Sequence, residues 1–321
     1  THLNSLNDNN QSKIVRLPIN QNNSFQSSFT NGERTRSYLK IQDGCNYNCS
    51  FCTIPLARGR SRSDTIENTV KIAQNIADSG AKEIVLTGIN IGDFGSTNNE
   101  NFFQLIKTLD NLKGIERFRI SSIEPNLLSN DIISFCANSN KFVPHFHIPL
   151  QSGSDSILQS MKRRYNTDLY KSRVEHIKKI IPDCCIGVDV IVGYPGEKED
   201  HFEQTYSFIE SMDVSYLHVF SYSKRKDTFA ASLNDQVTKE RKEYRSKALH
   251  RLSNKKKKQF YNQYINKIRP VLVEQSINGK IQGFTDNYIK VNVDQELSCY
   301  NKIIPVLLNE NKGNYMQGEI I

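Results

Sequence analysis

From Tyr38 onward, short apolar runs alternate with longer segments in which apolar residues return every three or four positions. The runs Tyr38–Ile41, Glu83–Thr87, Arg117–Ser121, Val143–Leu150, Cys185–Val192 and Tyr216–Tyr222 read as strands. The segments Thr65–Ser79, Asn101–Leu112, Leu127–Asn138, Asp168–Ile181 and Asp200–Ser211 read as helices. In the first of these, Ile66, Val70, Ala73 and Ala77 share one face, and Gly80 follows as a C-terminal cap. Six strands separated by helices predict an α/β fold with a parallel sheet. A closed or partial (β/α) barrel and a doubly wound open sheet both satisfy the pattern. In a barrel the chemistry sits at the C-terminal ends of the strands.

The rhythm changes at both ends. Residues 1–32 are rich in Asn, Gln and Ser, broken by Ile14–Ile19, and read as a linker or the remnant of a missing N-terminal domain. Residues 238–267 read as one long basic helix. After it, Val271–Glu274, Gly283–Phe284, Tyr288–Val293 and Ile303–Leu308 are short β-like runs with turns at Asn278-Gly279 and Asp286-Asn287. The chain therefore divides into 1–35, 36–267 and 268–321, the last a small β-barrel of a kind that often binds nucleic acid.

Composition sharpens this picture in two places. The net charge is +8, yet Lys239–Arg269 alone holds twelve Lys/Arg against Glu240 and Glu243. That window carries +10, and the remainder is close to −2. A basic excess gathered in one segment points to a polyanion, with a solvated helix face as the bland alternative. The run Lys255–Lys258 repels itself on an isolated helix. No long uncharged apolar stretch or signal-peptide pattern is present, so neither a membrane span nor a membrane partner is expected. Seven cysteines, an odd number, argue against a disulfide framework and for a reducing, cytoplasmic setting. The chain opens at Thr1, as a fragment or processed product would.

Cys45, Cys49 and Cys52 follow directly after the first strand. Thiolates at such spacing hold iron–sulfur clusters, and three ligands to a four-iron cubane leave one iron open. Zinc lacks a fourth ligand nearby in sequence, and a Cys-x-x-Cys redox pair leaves Cys45 unexplained. The basic loop Arg58–Arg62 lies next to this cluster and could hold an acidic partner. Cys136, Cys184, Cys185 and Cys299 read as packing residues, and His145 and His147 as core or supporting groups on the fourth strand.

The Cys-x₃-Cys-x₂-Cys spacing, with Phe51 before the last cysteine, resembles the radical S-adenosylmethionine (SAM) motif. Leu39–Cys45, Ile54–Gly59, His147–Ser154, Asp189–Glu197 and Phe220–Ser223 resemble the methylthiotransferase family, in matching order over residues 36–321. Thr87–Gly95 resembles most the members acting on threonylcarbamoyladenosine in tRNA. The resemblance implies a radical SAM partial barrel followed by a TRAM-like RNA-binding β-barrel. It implies a 4Fe–4S cluster on Cys45, Cys49 and Cys52, reductive cleavage of SAM, and methylthiolation of C2 of the modified adenine at tRNA position 37. Carried over by motif, Thr87 and Gly88 contact SAM through backbone, and Glu124, Gln151, Arg163 and Asp189 are its polar contacts. The implied partners are the tRNA anticodon stem-loop and a flavodoxin-type electron donor.

Two departures follow from the same resemblance. The family's N-terminal domain, with three further cysteines for a second cluster, is not matched, since residues 1–35 contain no cysteine. Asp227 stands where a glycine is usual in Ser223–Thr228, at a turn that would need positive φ. A ribosomal-protein aspartate methylthiotransferase and an RNA-binding remnant without sulfur transfer stay open as alternatives.

Overall fold

In a computed structural model, residues 24–30, 35–277, 280–295 and 299–321 are described. The strand β1 (Ser28–Phe29) precedes β2 (Arg36–Lys40) and β3 (Gln42–Asp43). Then come α1 (Ile54–Arg58), β4 (Arg62–Ser63), α2 (Ile66–Asp78), β5 (Glu83–Thr87), α3 (Phe102–Asp110), β6 (Arg117–Ile120) and α4 (Asn130–Asn138). The alternation continues through β7 (His145–Gln151), α5 (Asp155–Ser160), α6 (Thr167–Ile180), β8 (Cys185–Val192), α7 (Glu199–Ser211) and β9 (Tyr216–Ser221). A short α8 (Phe229–Ser232) leads into α9 (Lys239–Asn262). Strands β10 (Lys267–Ile277), β11 (Lys280–Thr285), β12 (Lys290–Asp294), β13 (Ile303–Asn311) and β14 (Met316–Ile320) complete the chain.

Strands β2, β5 and β6 pair in parallel, as do β7, β8 and β9. Parallel bridges Phe118–Phe142 and Ser122–His147 join the two sets into one curved wall. Strand order follows chain order throughout, whereas a doubly wound sheet reverses at a switch point. The sheet is therefore a partial barrel, with no pairing between β9 and β2 among the described residues. The helices start at side-chain caps on Thr65, Asn101, Ser129 and Asn166. Helix α4 begins at Asn130, three residues later than expected from Leu127, because Ser129 supplies the cap.

The wall is two-faced. Leu39, Ile84, Leu86, Phe118, Ile148, Val188 and Leu217 point outward into the core shared with the helices. The alternate positions, among them Tyr38, Lys40, Thr87, Arg119, His147, Asp189 and His218, point inward. Parallel strands packed on both faces read as nearly continuous apolar runs. Here the inner positions are polar, so the barrel interior is built to take something other than apolar side chains.

The last five strands form a closed barrel, in the order β10-β11-β12-β14-β13. The expected Asn278-Gly279 turn lies outside the described residues, as does most of the expected linker over 1–32. Strand β14 is not expected from its sequence. Met316–Ile320 contains Gly318 and few apolar positions, but pairing with β12 and β13 on either side makes it a strand. The barrel closes the bottom of the curved wall. Arg117 donates to Pro270 O at 2.8 Å, Arg119 to Asp286 O at 3.2 Å, and the Tyr288 ring lies 4.5 Å from that of His145. Beneath them Glu83 is fully buried. Burial alone would raise its carboxyl, but Arg119, Arg36 and Arg117 hold it below the ordinary range.

The long basic helix ends at Asn262 rather than 267, and its charge is not all on the surface. Arg245 is fully buried, bound to Glu197 and Glu199 at 2.8 and 2.9 Å. Lys256 is buried and donates to Glu210 O at 2.7 Å and to Met212 O, capping the end of α7. Lys255 pairs with Glu210. The polyanion footprint expected from the count is thus smaller than twelve charges.

Candidate active site

The cysteine loop leaves the C-terminal end of β2 through β3 and is fixed by buried polar groups. Gln42 is wholly buried. Its Nε2 donates to Gly44 O at 2.8 Å and Ser61 Oγ at 2.9 Å, while its Oε1 accepts from Ile89 N and Asn90 N at 3.0 and 2.8 Å. One side chain thereby ties the cysteine loop to the loop after β5. Asp43 accepts from Arg62 at 3.1 Å. Arg62 also donates to Arg58 O and Arg60 O, so it holds its own loop. Of the basic loop Arg58–Arg62, Arg62 is thus taken up inside the protein, and Arg58 and Arg60 are its exposed arginines. Ser50 N donates to Met161 O at 3.1 Å, and Ser50 O accepts from Ala230 N at 2.8 Å. The loop is pinned from both sides.

Cys45, Cys49 and Cys52 are free and partly exposed. Each sulfur has a donor: Tyr47 N to Cys45 at 3.4 Å, Ile54 N to Cys52 at 3.5 Å and Arg163 Nη1 to Cys49 at 3.1 Å. Hydrogen bonds to sulfur stabilise thiolate ligands and tune cluster potential. Burial pushes the Cys45 thiol up to about 11, and it raises Cys49 too despite Arg163. Metal loading must therefore displace protons from these thiols. A tetrahedral zinc with Zn–S of about 2.3 Å sets its sulfurs about 3.8 Å apart. Among the described residues no three cysteine thiols gather within 4.8 Å. The loop offers three thiols, the number that leaves one iron of a four-iron cluster open.

The other residues singled out in the sequence fall into three places. Arg163 bonds Cys49, Glu124 and the Tyr165 hydroxyl, so Glu124 and Arg163 meet at the cysteine loop. Glu124 takes no part in capping α4, whose cap is Ser129. Thr87 and Gly88 lie at the end of β5, where Thr87 O accepts from Ile41 N at 2.9 Å. They line a cavity of about 380 Å³ with Tyr38, Lys40, Gln42 and Arg58. Gln151 ends β7 with φ +67, a left-handed backbone, and its side chain makes no hydrogen bond among the described residues. Asp189 lies deeper on the inner wall, 2.7 Å from His147 Nε2. With His218 these two form a group whose ligand atoms lie within 4.8 Å of one another. Partial burial and His147 hold the His218 imidazole below its ordinary value.

Gln42, His147 and His218 are not legible as site residues in the sequence, whereas Asp189 is. Gln42 is there only one residue of the Leu39–Cys45 run, and His147 a core or supporting group. Their convergence depends on strand register, which pairs Asp189 with His218. Asp227 does have φ +65, as its place in the turn requires.

A partial barrel with three cysteines on the loop after its first main strand defines a radical SAM protein, and residues 39–209 match the radical SAM superfamily. Among solved structures, coproporphyrinogen III oxidase (HemN) from Escherichia coli superposes with TM-score 0.52 at 13% identity, covering 90% of this chain and 72% of that one. The methyltransferase TsrM from Kitasatospora setae also gives 0.52 at 13% identity, over 60% of this chain and 38% of its own. These likenesses concern the fold. By sequence the chain is 40% identical to the threonylcarbamoyladenosine tRNA methylthiotransferase MtaB of Bacillus subtilis (strain 168), covering 90% of this chain and 66% of that protein. It is 37% identical to the protein of the same name from Aquifex aeolicus (strain VF5), over 81% and 62%. It is 35% identical to the tRNA-2-methylthio-N(6)-dimethylallyladenosine synthase of Endomicrobium trichonymphae, over 88% and 68%. The chain spans about two thirds of the length of these relatives. It belongs to the tRNA methylthiotransferase family of radical SAM proteins. Membership of that superfamily implies a 4Fe–4S cluster and SAM. No helix among the described residues is long and apolar enough to cross a membrane.

Proposed function

We propose that this chain forms the radical and RNA-binding part of a tRNA methylthiotransferase acting on C2 of N6-threonylcarbamoyladenosine at position 37. The observation that carries the reading is the pinned cysteine loop at the open end of a polar-lined barrel. Identity of 40% and 37% to two threonylcarbamoyladenosine enzymes, against 33–35% to the dimethylallyladenosine ones, supports the choice of base. When bound, the cluster supplies the electron that cleaves SAM.

The chain's own residues hold and orient. Cys45, Cys49 and Cys52 ligate the cluster, and Arg163, fixed by Glu124, keeps a positive charge against Cys49. Thr87 and Gly88 offer backbone groups to the SAM amino group. The Gln151 amide, without a partner among the described residues, and the Asp189 carboxylate, oriented by His147, take its remaining polar groups. A second cluster, which the resemblance places on an N-terminal domain, would supply the sulfur. The anticodon stem-loop is the substrate, and a flavodoxin-type protein in the reducing cytoplasm is the electron donor.

The test is anaerobic iron–sulfur reconstitution, then SAM, dithionite and an assay for 5′-deoxyadenosine. About four irons per chain and SAM cleavage are expected. Cys49→Ala should lower both. If that variant keeps full iron and full cleavage, the cluster assignment is wrong.

A further inference from the structure

A second cavity of about 380 Å³ opens at the other end of the strands, between α9, the start of β9 and the C-terminal barrel. Strand β9 runs six residues from here toward the cysteine end, roughly 20 Å at about 3.3 Å per residue. The cavity is therefore separate from the one beside Thr87. Its size falls within the roughly 300–1,000 Å³ usual for small-molecule sites.

Its walls have two kinds of chemistry. One is aromatic: Tyr288 stacks on Phe284 at 5.0 Å, and Tyr216 lies 6.4 Å from Tyr288 at 32°. Tyr288 holds φ +65, a conformation that disfavours a bulky side chain, and the turn that forces it sets its ring against this wall. The other is cationic. Lys257 and Lys290 both line the cavity, and among the described residues neither is ion-paired with a carboxylate. Burial lowers Lys257, and Lys290 lowers it further, the Cys185 thiol offsetting this only in part. Two cations held together without a counter-charge create a place for an anion.

We propose that this cavity binds one nucleotide, with its base against Tyr288 and Tyr216 and its phosphate between Lys257 and Lys290. A flat ring with an attached anion is the ligand class that uses both walls. The nucleotide is either free in solution or one residue of an RNA strand. The second source rests on the tRNA reading above, and the first does not.

The experiment uses the full chain, with fluorescence anisotropy of a labelled RNA hexamer and calorimetry with AMP. Tyr288→Ala should weaken binding roughly tenfold. The double change Lys257→Glu and Lys290→Glu should do at least as much, and lower the salt slope of RNA binding by about 0.7 for each phosphate no longer neutralised. Tyr288 also closes the barrel floor, and Lys257 also donates to Asn314 O at 3.4 Å and lies over the Tyr261 ring, so circular dichroism checks the fold of both variants. AMP binding that disappears in both variants supports the site and a free nucleotide. RNA binding that disappears in both, with no AMP binding, supports the site with RNA as source. RNA binding that both folded variants retain in full, with no AMP binding, overturns this proposal and leaves the tRNA reading standing. AMP binding that disappears in both variants, with no RNA bound by the unaltered chain, supports the pocket and counts against the tRNA reading.

Discussion

Replacing Gly44 by alanine puts a methyl carbon where the Arg60 carbonyl already stands. Gly44 has φ +71, and a Cβ built there lies 2.0 Å from Arg60 O and 2.8 Å from Gly59 O, both backbone. Two penalties add. The left-handed conformation costs an L-residue about 1–2 kcal/mol. Displacing a close-packed backbone costs about 1–3 kcal/mol more. Gly80 separates them, because it has φ +91 with nothing within 4 Å of its Cβ. Gly80→Ala should therefore lose only about 1–2 kcal/mol. For a chain of this size each kcal/mol is roughly 2 °C, so Gly44→Ala should melt about 2–6 °C below Gly80→Ala. The consequence reaches the site, since Cys45 N donates to Gly59 O at 3.1 Å and moves with that backbone. Iron bound after reconstitution, measured beside Tm, should fall in Gly44→Ala and hold in Gly80→Ala. Equal melting and equal iron in the two variants would refute the steric argument.

Three further outcomes are expected. Arg163→Met removes the positive charge bonded to Cys49, so the cluster should become harder to reduce, with its midpoint shifted negative in an anaerobic redox titration; an unchanged potential would separate Arg163 from the cluster. Arg245→Met leaves Glu197 buried beside the Gly193 N–H alone and should cost about 3–5 kcal/mol, most of it regained in the double variant with Glu197→Gln. Burial already raises the Glu197 carboxyl, the Gly193 N–H and Arg245 pulling it back only in part, and losing Arg245 raises it further. A raised carboxyl means the native state binds the extra proton, so the variant's stability should fall as pH rises from about 4.3 through the folded value; a Tm deficit that shrinks over that range would reverse the sign. On the basic helix, Lys258→Glu should weaken RNA binding and reduce its salt slope by about 0.7 with Tm unchanged, whereas Lys256→Glu should lower Tm, because Lys256 caps α7; equal melting of the two would contradict its buried role.

Much of this protein is readable along the chain. The alternation of strand and helix depends on local periodicity, and β5 and β8 have the ends their apolar runs predict. The cysteine triad is legible because three ligands of one cluster come from a single loop, where chain distance limits spatial distance. The turn at Asp227 is legible for the same reason, being a matter of a few neighbouring dihedrals.

The tertiary structure decided the rest. Chain periodicity could not choose between a doubly wound sheet and a partial barrel, because both alternate strand and helix in the same way along the chain. Strand order made that choice. A count of charges could not tell that Arg245 and Lys256 are buried among acceptors on α7 and the loop before it. Nor could it show that Lys257 and Lys290, 33 residues apart in sequence, face one aromatic cavity. His147, Asp189 and His218 come from three strands and meet only when the register aligns them. Local conformation follows from each residue and its near neighbours, so sequence determines it. Which distant groups lose their water together depends on how the whole chain packs, and that sets the charge, partners and chemistry of a site.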